Sequence, residues 1–142
     1  YFVFTKKIIK GEIIKVFNKG KMYRDFTYID DLVESIYMLL SAKPNDKGEK
    51  ISNNDSLSSV APFRVVNIGN SRPIKLLDFI KTIENEIGIN AKKQMVSMQK
   101  GDVTLTWSNT NLLFELTGYS PSTTIEKGIK KFIDWYKTYY KI

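Results

Sequence analysis

Apolar residues recur along the chain at two spacings, and their alternation predicts an α/β fold. Positions that recur every three to four residues predict amphipathic helices, which we place at residues 2–9, 30–41, 76–87, 110–117 and 124–140. Short runs rich in β-branched and aromatic residues predict strands, which we place at 13–17, 26–29 and 63–70, with further extended segments at 92–98 and 103–107.

Two of these elements have consequences for the architecture. The run from Phe63 to Ile68 is almost continuously apolar, which is typical of a strand covered on both faces in a parallel sheet. The chain offers it no evident parallel partner, so we expect part of its sheet to lie outside these 142 residues. Asp30 and Asp31 can each cap the helix at 30–41, and Asp31 and Glu34 have capping-box spacing. The apolar face of this helix is expected to be Leu32, Ile36, Leu39 and Leu40.

The chain length is that of one domain, which we assign to residues 1–142. Residues 43–61 form one long polar connection, rich in Ser, Asn, Asp and Lys, and are expected to be a flexible surface loop. No apolar stretch is long enough for a membrane span, and no secretory signal pattern occurs. The lack of cysteine fits a cytoplasmic protein.

The absence of histidine narrows the chemistry. It excludes a Ser-His-Asp triad, a histidine general base and nearly all zinc catalysis within these residues. Catalysis here would need a carboxylate, tyrosine, lysine or a cofactor. The net charge of +7 raises the alternative of nucleic-acid binding, which predicts an affinity that falls steeply with salt. The lysines are dispersed without a block of five like charges, which favours a small anionic ligand instead.

Arg24 is the strongest candidate for binding such an anion. It precedes the predicted strand and helix and follows a turn rich in glycine and lysine. A guanidinium held next to a rigid element can grip a phosphate or carboxylate through two hydrogen bonds. The alternative is a surface ion pair between Arg24 and the neighbouring Asp25.

Several motifs, in order and with matching gaps over essentially the whole chain, resemble one family. The chain resembles the C-terminal part of extended short-chain dehydrogenase/reductases that act on nucleotide sugars, a Rossmann-type family, and within it the UDP-glucuronate 4-epimerase branch. The matching segments are 14–18 with Gly20, 24–31, 61–64, 66–70, 73–88, 98–103 and 132–136.

The resemblance implies roles for six residues. Arg24 matches an arginine that holds the UDP pyrophosphate, and Asp102 matches a carboxylate that accepts the ribose hydroxyls. Val16 and Phe17 match the strand edge against which uracil lies, although core packing explains Phe17 equally well.

Gln99 occupies a position where many relatives have a second phosphate-binding arginine, and glutamine there fits the glucuronate branch. Asn67 matches a position near the nucleotide, although it could equally be a structural residue that hydrogen bonds at the end of a strand.

The family's cofactor and catalytic motifs are missing. No G-x-x-G-x-x-G loop and no Tyr-x-x-x-Lys pair occurs in the chain. The resemblance therefore implies that an N-terminal NAD-binding Rossmann domain is absent and that this chain alone is inactive. It also implies a parent enzyme that binds NAD and a UDP-sugar and forms a homodimer, as relatives commonly do. In that parent, NAD would oxidise and then reduce the sugar at C4, converting UDP-glucuronate to UDP-galacturonate for polysaccharide synthesis. A dehydratase or decarboxylase of the same superfamily, or a noncatalytic split-gene remnant that binds UDP-sugar, would share every residue present here.

Overall fold

The computed structural model of the chain describes residues 1–44 and 49–142, in which helices alternate with short strands. The predicted α/β class is confirmed. In chain order the elements are α1 (Phe2–Ile9), β1 (Ile13–Val16), a 3-10 turn (Phe17–Gly20), β2 (Tyr23–Arg24), α2 (Ile29–Leu39), β3 (Ile74–Lys75), α3 (Leu76–Ile87), β4 (Lys92–Met95), α4 (Asn111–Thr117) and α5 (Ile125–Tyr140). No helix in the described part of the chain is both long and apolar enough to cross a membrane.

These residues form two compact units, each built from separate stretches of the chain. The first unit comprises Tyr1–Arg24, Pro73–Thr106 and Thr124–Ile142, and the second comprises Asp25–Arg72 and Trp107–Thr123. All four strands belong to the first unit, where they form two pairs: β1 runs parallel to β4, and β2 runs antiparallel to β3.

The core of the first unit lies where α3 contacts both α1 and α5. The predicted helices at 2–9 and 76–87 are confirmed with identical bounds, and α5 begins one residue later than predicted, with Thr124 as its N-cap. Burying each isoleucine of this core contributes about 1.5–3 kcal/mol. The fully or almost fully buried aliphatic residues include Ile8, Ile14, Val16, Ile80, Ile83, Ile129 and Ile133.

The second unit contains α2 and α4, which contact each other, and no strand among its described residues. The strand predicted at 26–29 is therefore wrong, because residues 25–28 lead directly into α2. Residues 63–70 have no hydrogen-bonded neighbouring strand among the described residues. Since the partner of that strand was expected outside these 142 residues, the strand at 63–70 stays a prediction. A β-favouring composition cannot form a strand without a second backbone to pair with.

The predicted capping roles of Asp30 and Asp31 are also wrong, because α2 begins at Ile29 with Tyr28 as its N-cap. The predicted apolar face of this helix is wrong in part, because Ile36 and Leu40 are 49% and 72% exposed.

The polar connection contains no helix or strand where it is described. Residues 45–48, within the predicted flexible loop, lie outside the described residues. Beyond them, Asp55 and Leu57 are buried. The Arg64 guanidinium donates to both carboxylate oxygens of Asp55, at 2.7 and 2.9 Å. The flexibility of this connection stays a prediction, although this ion pair ties its second half to Arg64.

The turn that follows β1 depends on a close backbone approach. Gly20 is buried with a φ of +77°, and a Cβ atom there would lie 2.5 Å from Cγ of Leu77 in α3. Glycine is therefore required by both the backbone conformation and the lack of space. Because β2 begins three residues later, this contact also fixes where the chain enters β2 and therefore where Arg24 lies.

We expect Gly20→Ala to destabilise the protein by about 2–5 kcal/mol, because left-handed strain and overpacking against Leu77 add. Gly88→Ala is the matched control: Gly88 has a φ of +80°, but nothing lies near its missing Cβ, so only the strain of about 1–2 kcal/mol applies. Urea unfolding of both variants measures the difference. Equal losses would show that the Leu77 contact contributes nothing.

Candidate functional site

The first unit holds a partly exposed ion pair between two of the predicted site residues. Nη2 of Arg24 lies 2.6 Å from Oδ1 of Asp102, and the side chains are 26% and 33% exposed. The residues are 78 positions apart in sequence. The predicted alternative, a pair between Arg24 and Asp25, is not what forms, because Oδ2 of Asp25 accepts the backbone N–H groups of Ser71 and Ser108 in the second unit.

Backbone pairing at Tyr23 brings the two members of this ion pair together. The N–H of Tyr23 donates to the carbonyl of Thr104 at 2.8 Å, and the N–H of Thr106 donates to the carbonyl of Tyr23 at 3.2 Å. This makes a parallel bridge between Tyr23 and Leu105, which draws the segment after Asp102 alongside β2. No sequence pattern marks Tyr23 for this role, because its side chain is not involved.

The ion pair leaves polar groups available for a ligand. A guanidinium has five N–H donors. Arg24 uses one on Asp102 and one on the carbonyl of Tyr23, so three have no recorded partner among the described residues. Oδ1 of Asp102 also accepts the N–H of Val103, whereas no hydrogen bond to Oδ2 is recorded in this part of the chain. The pair thus presents donors for an anion and an acceptor for a hydroxyl side by side.

Val16 and Phe17 lie at the end of β1 in the same unit. The side chain of Val16 is fully buried, and its carbonyl accepts the N–H of Val96 at 3.0 Å. Phe17 is half-buried and opens the 3-10 turn, where the N–H of Lys19 donates to the carbonyl of Val96. The backbone of this edge is thus held by β4 and the residue after it.

The remaining two predicted residues are exposed. Gln99 closes the turn before Asp102, since its carbonyl accepts the N–H of Asp102 at 3.2 Å. Asn67 belongs to the second unit, where its side-chain amide donates to the carbonyl of Asn109 at 3.4 Å. It lines a cavity of about 290 Å³ together with Asn54, Ser56, Val65, Asn109, Asn111 and Leu112.

A second charged centre, Asp31, organises the second unit. Asp31 is only 8% exposed, and its carboxylate accepts four hydrogen bonds, from Tyr119 Oη, the N–H of Ser122, and both the N–H and Oγ1 of Thr123. Burial raises the pKa of Asp31, but these hydrogen bonds outweigh it and hold the pKa below its usual value. Burial and the Asp31 charge raise the pKa of Tyr119. The D-x-x-E spacing pointed to a helix cap and gave no indication of this network.

Two further buried carboxylates are satisfied in the same way. Hydrogen bonds from Arg64 hold the pKa of Asp55 below its usual value against the opposing effect of burial. Burial raises the pKa of Glu84, but hydrogen bonds from Lys93 and the N–H of Ala91 outweigh it and hold the pKa below its usual value. Among the described residues, no group of three or more acidic side chains could hold a metal ion.

Comparison with known proteins gives a consistent set of relatives. Residues 2–53 match the NAD dependent epimerase/dehydratase family. The chain is 43% identical over 144 residues to a probable UDP-glucuronate 4-epimerase of Rhizobium meliloti, and 45% identical over 142 residues to the protein CapI of Staphylococcus aureus. Each match covers 99% of this chain and 42% of the relative, so the chain spans less than half the length of these curated relatives.

A solved structure supports the similarity to these relatives. A Bacillus cereus UDP-glucuronic acid 4-epimerase, crystallised with UDP-glucuronic acid and NAD, superposes with a TM-score of 0.75 at 26% identity. The match covers 96% of this chain and 39% of that structure. The partial sheet observed here is consistent with a match to only part of a larger fold.

We expect stability to fall in acid because three carboxyl groups have lowered pKa values in the folded state. Their contribution is complete above their unfolded pKa values, which are near 3.8 for Asp and 4.5 for Glu, and is lost as pH falls through the folded values. Asp31→Asn should cost about 1–3 kcal/mol at pH 7, because an amide replaces one acceptor oxygen with donors. The difference from wild type should shrink below about pH 4.

Urea unfolding at pH 7, 5, 4, 3 and 2 measures this dependence. Asp134→Asn is the matched control, because Asp134 is exposed and its one recorded ion pair among the described residues is with Lys130, one helical turn away. If the free energies of unfolding of wild type and Asp31→Asn differ by the same amount at every pH, the hydrogen bonds do not stabilise the charged form of Asp31.

Proposed function

We infer the function of this chain from its similarity to the NAD dependent epimerase/dehydratase family, whose model matches residues 2–53, and to the relatives that match nearly its whole length. We propose that it is the nucleotide-sugar-binding part of an epimerase that converts UDP-glucuronate to UDP-galacturonate by inverting C4. The names of the 43% identical Rhizobium relative and of the Bacillus cereus structure support this substrate and this reaction.

The Arg24–Asp102 pair is the observation that carries the proposal. A diphosphate needs directed donors and a ribose needs an acceptor, and this pair offers both within one hydrogen-bonded arrangement. Because the pair is partly exposed, a ligand can reach it. Because it is also partly buried, its charges interact with a ligand more strongly than they would in open water. In our proposal, Arg24 binds the pyrophosphate through its remaining N–H groups and Asp102 accepts a ribose hydroxyl through Oδ2.

The surrounding residues extend this site. We propose that uracil lies along the edge formed by Val16 and Phe17, where the half-buried ring provides a flat apolar wall. Gln99 would offer a neutral donor to the phosphates. A neutral side chain there leaves Arg24 as the principal charge on the pyrophosphate, so the proposal makes Arg24 the residue with the largest effect on binding.

The residues of this chain do not fit an NAD site. They contain no glycine-rich phosphate loop and no Tyr-x-x-x-Lys pair, so we assign no chemical step to them. In the proposed enzyme, NAD and the catalytic residues belong to the additional polypeptide that the relatives possess. A related dehydratase or decarboxylase, or a noncatalytic binding protein, would use the same nucleotide contacts and differ only in that additional part.

We expect Arg24→Ala to weaken UDP-glucuronate binding to the full-length protein that contains this chain by about tenfold or more. The loss corresponds to about 1.4 kcal/mol or more, within the range for one charge-assisted hydrogen bond. Arg24→Lys should recover only part of the affinity, because an ammonium keeps the charge but not the planar fork of donors. Titration calorimetry with UDP and UDP-glucuronate measures both variants.

Arg72→Ala serves as the control, since it removes an exposed guanidinium with no recorded partner in the described part of the chain. Unchanged affinity in Arg24→Ala, or an equal loss in Arg72→Ala, would contradict the proposed role. Binding without any epimerisation of UDP-glucuronate would favour the noncatalytic alternative.

A further inference from the structure

Helix α5 presents a row of aromatic side chains outside the face that it buries. Its buried residues are Ile129, Ile133 and Tyr136. Trp135 and Tyr139 lie one helical turn apart and are 49% and 65% exposed, and Tyr140 is 45% exposed. Given about 100° per residue, Phe132, Trp135 and Tyr139 fall within an arc of about 60°. The helix therefore carries a stripe of large rings at its surface.

The rings of this stripe contact one another and extend onto α1 of the same unit. The Trp135 and Tyr139 rings are stacked, with centroids 5.2 Å apart and an interplanar angle of 25°. Phe2 of α1 packs edge-on against Tyr136, with ring centroids 5.3 Å apart. Because each ring contacts its neighbours, these side chains form one ordered cluster. We call it the α1/α5 aromatic patch, and it consists of Phe2, Phe132, Trp135, Tyr136, Tyr139 and Tyr140.

The segments that contain this patch also hold most of the net charge of the protein. Residues 1–10 contain three lysines and no acidic residue, and residues 125–142 contain five lysines and two acidic residues. These segments therefore account for six of the seven net positive charges, although they are only 28 of the 142 residues. Lysine is the only basic residue type in either segment.

Lysines border the aromatic patch on both helices. On α1, Lys6 and Lys10 follow Phe2 at intervals of four residues, so they share its side of the helix, and both are exposed. On α5, the exposed Lys131 precedes Trp135 by one turn. The surface is thus aromatic in the middle and basic at its margins.

We propose that the α1/α5 aromatic patch binds the surface of an anionic lipid membrane. Tryptophan and tyrosine suit the boundary between headgroups and acyl chains, because each has a large apolar ring with one polar group. A helix that lies in this boundary combines such rings with lysines that attract anionic headgroups, and it needs no membrane-spanning segment. The proposal does not depend on the proposed function, because none of the residues assigned to ligand binding lies in α1 or α5.

Two other occupants fit this surface less well. A second copy of the chain, related by two-fold symmetry, would bring the same positively charged patch against itself. Single-stranded nucleic acid stacks its bases on open aromatic faces, whereas the Trp135 and Tyr139 rings cover part of each other. Arginine is the side chain that combines stacking with phosphate binding, and residues 1–10 and 125–142 contain none. Lysine, a point charge on a flexible stem, suits a fluid layer of headgroups.

Vesicle sedimentation of the full-length protein that contains this chain tests the proposal. One set of vesicles contains phosphatidylcholine and phosphatidylglycerol at a ratio of about 2:1, and the other contains phosphatidylcholine alone. We expect at least about tenfold stronger partitioning into the anionic vesicles. This preference should shrink as salt is raised to about 0.5 M, because salt screens the attraction between lysines and headgroups. Equal partitioning into both kinds of vesicle, or partitioning into neither, would overturn the proposal.

A matched pair of substitutions tests the aromatic rings. Trp135→Ala should weaken partitioning into the anionic vesicles by about fivefold or more, because a large apolar ring no longer inserts. Trp107→Ala is the control: Trp107 is 60% exposed in the second unit, and its loss should change partitioning by less than about twofold. Similar losses for the two tryptophans would contradict the assignment of binding to the patch.

A second matched pair tests the lysines. Lys6→Gln combined with Lys10→Gln should weaken partitioning by about fivefold or more, because each lysine near an anionic surface adds to the affinity. Lys43→Gln combined with Lys50→Gln is the control, since it removes the same charge from exposed lysines of the second unit. If both pairs weaken partitioning equally, net charge alone governs binding and the proposal fails.

Two further measurements address the other occupants. In light scattering, Trp135→Ala should leave the oligomeric state of the full-length protein unchanged; a dimer that this substitution dissociates would overturn the proposal and assign the patch to a second copy. Titration with a fluorescent single-stranded oligonucleotide should show no effect of Trp135→Ala. Oligonucleotide binding that Trp135→Ala weakens, without partitioning into anionic vesicles, would overturn the proposal and assign the patch to nucleic acid.

Discussion

A buried carboxylate must be hydrogen bonded, and this requirement organises the second unit. Asp31, inside α2, accepts four hydrogen bonds from residues that lie about 90 positions later in the chain. Without them, an ionised group would be buried and unsatisfied, at a cost of several kcal/mol. The helix therefore turns Asp31 and Ser35 inward, which leaves Val33, Ile36 and Tyr37 at the surface. The exposed face of α2 is a consequence of where its carboxylate is satisfied.

The first unit is organised by different means. Three helices bury an aliphatic core, and short backbone pairings arrange the surface around it. The bridge between Tyr23 and Leu105 places Asp102 within hydrogen-bonding distance of Arg24. Since this bridge uses main-chain groups, it leaves the charged side chains available for a ligand. The proposed binding site is thus positioned by rigid backbone geometry, and its side chains are polar where a ligand would make contact.

The two units differ in how complete they are. The core residues of the first unit are enclosed by its own helices, whereas the second unit exposes an apolar face of α2, and no backbone hydrogen bond is recorded for 66–68 within the described part of the chain. Contiguous apolar surface of this kind is typical of an interaction site. The matched relatives contain more than twice the length of this chain.

The sequence by itself determined the elements whose cause is local. Helices α1, α3 and α5 were predicted to within one residue, because amphipathic spacing and glycine caps act within a few positions along the chain. The resemblance singled out Arg24 and Asp102 together. What only the tertiary structure decided involves groups distant in sequence: the pairing of Arg24 with Asp102 rather than Asp25, the burial of Asp31, and the absence of a strand at 26–29. A strand and an ion pair each need a second partner, and neither composition nor spacing says which distant residue the fold brings within reach.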